Sequence, residues 1–234
     1  MLTIKKSDDR GKFKNEWLNS NHTFSFGEYY DPKNMQFRDL RVINQDIVAG
    51  GTGFPTHGHR DMEIITYMLR GTLEHKDSMG NKAQIKPGEI QVMTAGTGVQ
   101  HSEYNPDKTI PAELLQIWII PDKQGAAPGY NQKMFSANDK HNDLVLIASG
   151  DGAKNSMKIN QDVRLFAGAF DKDFSKVFEI KEGRGVWVQI AKGRLVVNKQ
   201  TLQAGDAIAV EKEASIRLEG TSSEPAEFLL FDLK

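Results

Sequence analysis

Residues 63–74, EIITYMLRGTLE, and residues 86–96, KPGEIQVMTAG, have a counterpart in the second half of the chain, at 186–197, VWVQIAKGRLVV, and 203–213, QAGDAIAVEKE. In each half an apolar run reaches a glycine turn (Gly71, Gly193) and passes into a more polar run. A second glycine turn (Gly88, Gly205) then opens another apolar strand. Short β-branched and aromatic runs bounded by glycine are the pattern of hairpins. The same rhythm continues outward through LRVI (40–43), LLQIWII (114–120), LVLIAS (144–149) and EFLLF (227–231). Asp31-Pro32, Gly50-Gly51, Asn105-Pro106 and Gly150-Asp151-Gly152 punctuate it. Many short strands with regular turns predict an all-β chain of barrel or jelly-roll type, and the internal repeat predicts two stacked β-barrels. The polar stretch SANDKHND (136–143) is the expected boundary, giving one barrel over 1–137 and a second over 138–234. Helix is expected only as single turns, around Asn15–Asn19 and 136–142.

The chain has 234 residues, with 30 Lys+Arg against 31 Asp+Glu and a net charge of −1. No basic block marks a face for direct nucleic-acid binding. With 38% apolar and 26% charged residues the composition is that of a globular protein. There are no cysteines, which excludes disulfides, thiolate metal sites and thiol catalysis. MLTIKKSDDRGKFKNEW has no apolar signal core, and LLQIWII is too short to span a bilayer, so no membrane association and a cytoplasmic location are expected.

The chemistry is concentrated in the histidines. His57 and His59 stand two apart in GTGFPTHGHRDME, and on a strand that spacing puts both imidazoles on one face. His101 and Glu103 repeat the spacing in AGTGVQHSEYNP. Bringing the two strands together converges three imidazoles and one carboxylate, a metal-ligand set without thiolate. His22, His75 and His141 have no second candidate ligand beside them and are read as structural, with His75 on the polar side of a hairpin. No histidine follows residue 141, so the second barrel cannot repeat the site. Aligning Gly193 with Gly71 puts Glu179 and Lys181 in the places of the two histidines.

Gly51, His57-x-His59, Glu63 and Gly71, followed by Gly88, Gly96 and a histidine, resemble the two motifs of the cupin superfamily. WLNSNHTFSFGEYYDP, FPTHGHRDMEIITYMLRGTLEHKDSMGN and MTAGTGVQHSEYNP resemble the pirin branch in particular, and within it bacterial pirin-like quercetinases. Two departures from the general cupin pattern fit that branch: Thr97–Gln100 separate Gly96 from His101, and Thr94 stands where a proline is usual. The resemblance implies a bicupin with one metal in the N-terminal barrel, held by His57, His59, His101 and Glu103. Glu63, the general cupin ligand, would then stand just behind the site.

Three imidazoles and a carboxylate suit Fe(II), Mn(II), Ni(II), Co(II), Cu(II) and, with a closed shell, zinc. The resemblance favours iron. It also implies the activity of a quercetin 2,3-dioxygenase, in which a flavonol and O2 react with release of CO and Glu103 is the candidate base. Met35, Phe37, Phe54, Met62, Met93 and Trp118 are the candidate pocket residues. A non-enzymatic, metal-dependent regulatory protein that binds a protein partner is the alternative reading.

Overall fold

The computed structural model describes residues 1–234. The chain is nearly all strand. In order, these are β1 (Leu2–Lys5), β2 (Gly11–Lys14), β3 (Leu18–His22), β4 (Leu40–Val48), β5 (Gly53–His59) and β6 (Glu63–Arg70). Then come β7 (Leu73–Asp77), β8 (Lys82–Ile85), β9 (Glu89–Thr94), β10 (Val99–Tyr104), β11 (Ala112–Ile119) and β12 (Gly129–Met134). After the four-residue helix α1 (Ala137–Lys140) follow β13 (Leu144–Ser149), β14 (Met157–Lys158), β15 (Val163–Phe170), β16 (Ser175–Glu179) and β17 (Gly185–Lys192). The last five are β18 (Arg194–Val197), β19 (Gln200–Gln203), β20 (Ala207–Glu211), β21 (Ser215–Gly220) and β22 (Ala226–Leu233). No helix is long and apolar enough to cross a membrane.

The strands form two compact units. One comprises Arg10–Met134 with Ile159–Gln161; the other comprises Met1–Asp9, Phe135–Lys158 and Asp162–Lys234. Each is built from a seven-stranded and a four-stranded sheet. In the first unit the sheets run β12-β9-β6-β11-β4-β3-β2 and β5-β10-β7-β8; in the second, β1-β20-β17-β22-β15-β13-β14 and β16-β21-β18-β19. The strand orders correspond, so the sequence repeat is a repeat of structure, and the fold is that of a bicupin. Gly71 and Gly193 do the same job in both units, with φ of 72° and 71°. A Cβ there would sit 2.6 Å from the Pro111 carbonyl oxygen and 2.9 Å from that of Pro225, so only glycine fits the turn.

Antiparallel pairing sets what each barrel holds. In the second unit Ile216 and Leu218 of β21 lie fully inside, packed with Val197, Leu195, Val188 and Phe228. β21 occupies the place in its sheet that β10 occupies in the first, and where β10 buries His101 and Glu103, β21 buries aliphatic carbon. This interior excludes metal ligation by packing as well as by composition. The first strand, Leu2–Lys5, pairs with β20 (Leu2 opposite Val210), and the Ser7 amide donates to Asp206 at 2.8 Å. The N-terminal strand thus belongs to the second barrel.

The expected helical turn around Asn15–Asn19 is instead a bend leading into β3, held by the Asn15 side chain accepting from the Leu18 amide at 2.7 Å. The expected turn at 136–142 contains α1. Its Ser136 cap accepts from the Asp139 amide while the Asp139 carboxylate accepts from that of Ser136, a reciprocal capping box.

Candidate metal centre

β5 and β10 are neighbours in the four-stranded sheet, and their register sets His101 directly opposite His57. His59 lies two residues along β5, on the same face as His57. The three rings meet at their Nε2 atoms. That of His101 is 3.0 Å from that of His57 and 3.0 Å from that of His59. Nitrogen donors about 2.1 Å from a common cation are about 3.0 Å apart when they subtend a right angle, so the spacing fits three imidazoles on one octahedral ion. Burial, reinforced by the neighbouring His57, lowers His59 to about 4, and burial with the adjacent imidazoles lowers His101 to about 3. Both rings are therefore neutral at ordinary pH and have lone pairs to give. His57 Nδ1 donates to the Pro55 carbonyl at 2.8 Å, which leaves its Nε2 as the free donor.

Between His101 and Glu103 the register slips, so that Glu103 faces Phe54. Such a bulge re-aims the side chain that follows it. The Glu103 carboxylate is buried and accepts from the Gln116 amide at 3.1 and 3.3 Å and from the Thr66 hydroxyl at 3.4 Å. Burial pushes it up to about 7 against those hydrogen bonds. Its oxygens group with His101 and His75, while the nitrogens of His57, His59 and His101 form a group of their own.

These residues line one side of a cavity of about 360 Å³. Phe26, Phe54, Pro55, Ile64 and Trp118 supply apolar walls, and Ser20, Asn44, Asp46 and Gln116 supply a polar patch. Phe26 meets the face of Trp118 edge-on at 5.4 Å, and Trp118 in turn packs against His59 at 4.9 Å. Burial raises Asp46 to about 7, opposed by a hydrogen bond from Ser20 and assisted by the charge of Glu103. Asn44 Oδ1, Gln116 Oε1 and Trp118 Nε1 are buried without partners, which leaves hydrogen-bonding capacity for a bound molecule.

Of the six candidate pocket residues, Phe54 and Trp118 line the cavity, whereas Met93 is sealed in the core. Phe26 was not anticipated; it comes from the long segment between β3 and β4, whose sequence carries no strand signal. Glu63 departs from expectation. Counting strand parity from the histidines puts it on their side, but the chain turns at Asp61 (φ 48°) and resumes in the other sheet. There Ile64 faces the cavity, so Glu63 points to the opposite face. Its oxygens accept from Thr94 and from Asn160, each at 2.9 Å. His75, expected on a polar surface, is fully buried. His22 is buried in β3 against Phe26, and His141 is an exposed partner of Asp171.

A family model described as Pirin matches residues 4–119, and one described as the quercetinase C-terminal cupin domain matches residues 146–233. The chain belongs to the pirin family. A quercetin 2,3-dioxygenase of Escherichia coli K12 is 46% identical over 233 residues, covering 100% of this chain and 99% of that protein. A putative quercetin 2,3-dioxygenase of Pasteurella multocida is 41% identical over 237 residues, covering both chains in full (100%). Among solved structures, the bacterial pirin YhhW of E. coli in complex with nickel(II) superposes with a TM-score of 0.94 at 44% identity, covering 100% of this pirin and 99% of that chain.

Proposed function

We propose that this pirin is a metal-dependent dioxygenase that cleaves a flavonol such as quercetin with O2 and releases CO. One divalent metal, iron(II) on the family resemblance, is held by His57, His59, His101 and Glu103. The observation that carries the reading is the meeting of three imidazoles on the wall of an aromatic cavity, with Nε2 of His101 3.0 Å from that of His57 and 3.0 Å from that of His59. Relatives named quercetin 2,3-dioxygenase along the whole chain, and the nickel(II) complex of YhhW, support the same reading.

When bound, the metal supplies a Lewis acid for the flavonol 3-oxygen and a redox partner for O2. The chain's own residues do the rest. Phe26, Phe54 and Trp118 offer flat apolar surface to a planar polyphenol. Asp46 and Ser20, with the unpartnered Asn44 and Gln116 oxygens, offer hydrogen bonds to hydroxyls at the ring edges. Glu103, at about 7, accepts the 3-hydroxyl proton on a carboxylate oxygen, with the Gln116 amide and Thr66 hydroxyl keeping that carboxylate oriented.

The test is headspace analysis of the iron-loaded protein with quercetin in air. One CO per quercetin consumed is expected. Quercetin loss without CO would overturn the reaction assigned.

A further inference from the structure

Outside the three-histidine group, His75 is a buried imidazole with a polar neighbour at each ring nitrogen. His75 of β7 is wholly inside the barrel, stacked on Tyr130 at a centroid distance of 4.7 Å. Its Nδ1 is 3.4 Å from Nδ1 of His101, and its Nε2 is 2.9 Å from Oδ2 of Asp77. Asp77 ends β7 and is itself tied down. It accepts from the Met79 amide at 2.9 Å, from the Asn81 amide at 3.0 Å and from the Asn81 side chain at 2.9 and 3.1 Å.

Proton counting orders this chain. A neutral imidazole carries one N–H. His101 turns its Nε2 toward the other two imidazoles, and for that nitrogen to offer a lone pair the proton must sit on Nδ1. That N–H has Nδ1 of His75 in front of it, so the His75 nitrogen accepts. The His75 proton is then on Nε2, where Asp77 receives it. Each donor meets an acceptor in one direction only, from His101 through His75 to Asp77.

We infer that Asp77 and His75 are positioning residues for the metal ligand His101, holding its ring in the Nδ1–H tautomer and strengthening Nε2 as a donor. The inference rests on the ligand set proposed above. Outer hydrogen bonds of this kind fix the orientation and basicity of ligating histidines. The competing arrangement is a second cation shared by His75, His101 and Glu103, whose donor atoms lie within 4.8 Å of one another. It would require His101 to give lone pairs from both nitrogens, hence a deprotonated ring. The relay requires no such ring.

The experiment uses the full chain labelled with 15N-histidine. In the metal-free protein, two-bond 1H–15N correlations report the His101 tautomer directly; in parallel, nickel(II) affinity is measured by competition with a chromophoric chelator. Wild type is expected to show His101 as Nδ1–H and to bind one nickel(II). His75→Phe keeps a ring on Tyr130 but removes the acceptor, so the tautomer preference is lost and nickel binding weakens by about 10- to 100-fold. His75→Asn puts an amide oxygen near the former Nδ1 and restores most of both. Asp77→Asn keeps an oxygen for the turn amides but removes the charge, and weakens nickel binding in the same direction; it carries the test if His75→Phe does not fold. An Nε2–H His101 in folded wild type overturns the relay. So does unchanged nickel affinity in folded His75→Phe and Asp77→Asn, or a second nickel(II) per chain that disappears with His75. Wild type that binds no nickel yet shows the His75-dependent tautomer would overturn the ligand set and leave the relay standing.

Discussion

His57 and His101 are register partners on adjacent antiparallel strands, and their Nε2 atoms are 3.0 Å apart. Direct pairing brings two side chains to one point without help from loops, so the site is built on strands. His59 joins from the next inward position of β5. The metal affinity of the chain should therefore depend on these rings far more than its fold does.

Replacing His57 and His101 together by alanine is expected to abolish stoichiometric metal binding while the circular dichroism remains that of a β-protein. In wild type, metal at about 100 times its dissociation constant should add about 2.7 kcal/mol of stability. At about 2–4 °C per kcal/mol for a chain of this size, that is a rise in Tm of several degrees, which the double variant lacks. Stoichiometric metal in the double variant contradicts the assignment.

Glu103→Gln keeps the shape of the side chain but removes its charge and basicity. Turnover of quercetin is expected to fall by about 10²- to 10⁴-fold, the usual worth of a positioned general base, with weaker metal binding alongside. Steady-state kinetics at saturating metal separates the two effects, and a kcat equal to wild type would exclude Glu103 as the base.

The meeting of His57, His59 and His101 and the barrel repeat were legible in the sequence because strand parity is a local rule that holds as long as the strand does. It failed at Glu63, where the left-handed Asp61 interrupts the strand and passes the chain to another sheet. His75 was illegible for a different reason. Its segment, LEHKD, reads as a polar surface hairpin, yet the 75 side chain turns inward and finds its partners in β10 and in Tyr130. Phe26 reaches the cavity from an irregular segment, and no periodicity announces such a residue.

Asp46 gives stability a pH dependence with a defined sign. Its folded value, about 7, lies above the ordinary carboxyl value because burial penalises the charge. The folded state thus holds a proton that the unfolded state releases near pH 4. This contribution is fully present below pH 4 and is lost as the pH rises to 7. Asp46→Asn removes that loss, so the metal-free variant should gain stability relative to wild type between pH 4 and 7. Denaturant titrations of both proteins across that range measure the difference; a constant difference would show that Asp46 ionises at its ordinary pKa.

Asn160 belongs to the short segment 159–161 that completes the first barrel, and it donates to the buried Glu63. Asn160→Ala leaves that carboxyl oxygen without this donor and should cost about 1–3 kcal/mol, lowering Tm by several degrees with metal binding retained. For the same reason a fragment ending at residue 137 lacks a piece of the metal-bearing barrel, and β1 loses its partner β20. Such a fragment is expected to be poorly soluble although it contains every proposed ligand, and to be rescued by co-expression with residues 138–234. Sedimentation of the soluble fraction checks this.

On the function proposed above, one metal held by His57, His59, His101 and Glu103 lets this chain split a flavonol with O2. The most direct measurement is to load the apoprotein with increasing iron(II) under argon, admit quercetin and air, and follow CO by gas chromatography. CO production is expected to rise linearly and to saturate at one iron per chain, and to be absent from the His57→Ala, His101→Ala variant. CO formation that ignores iron, or that persists in that variant, would contradict the account.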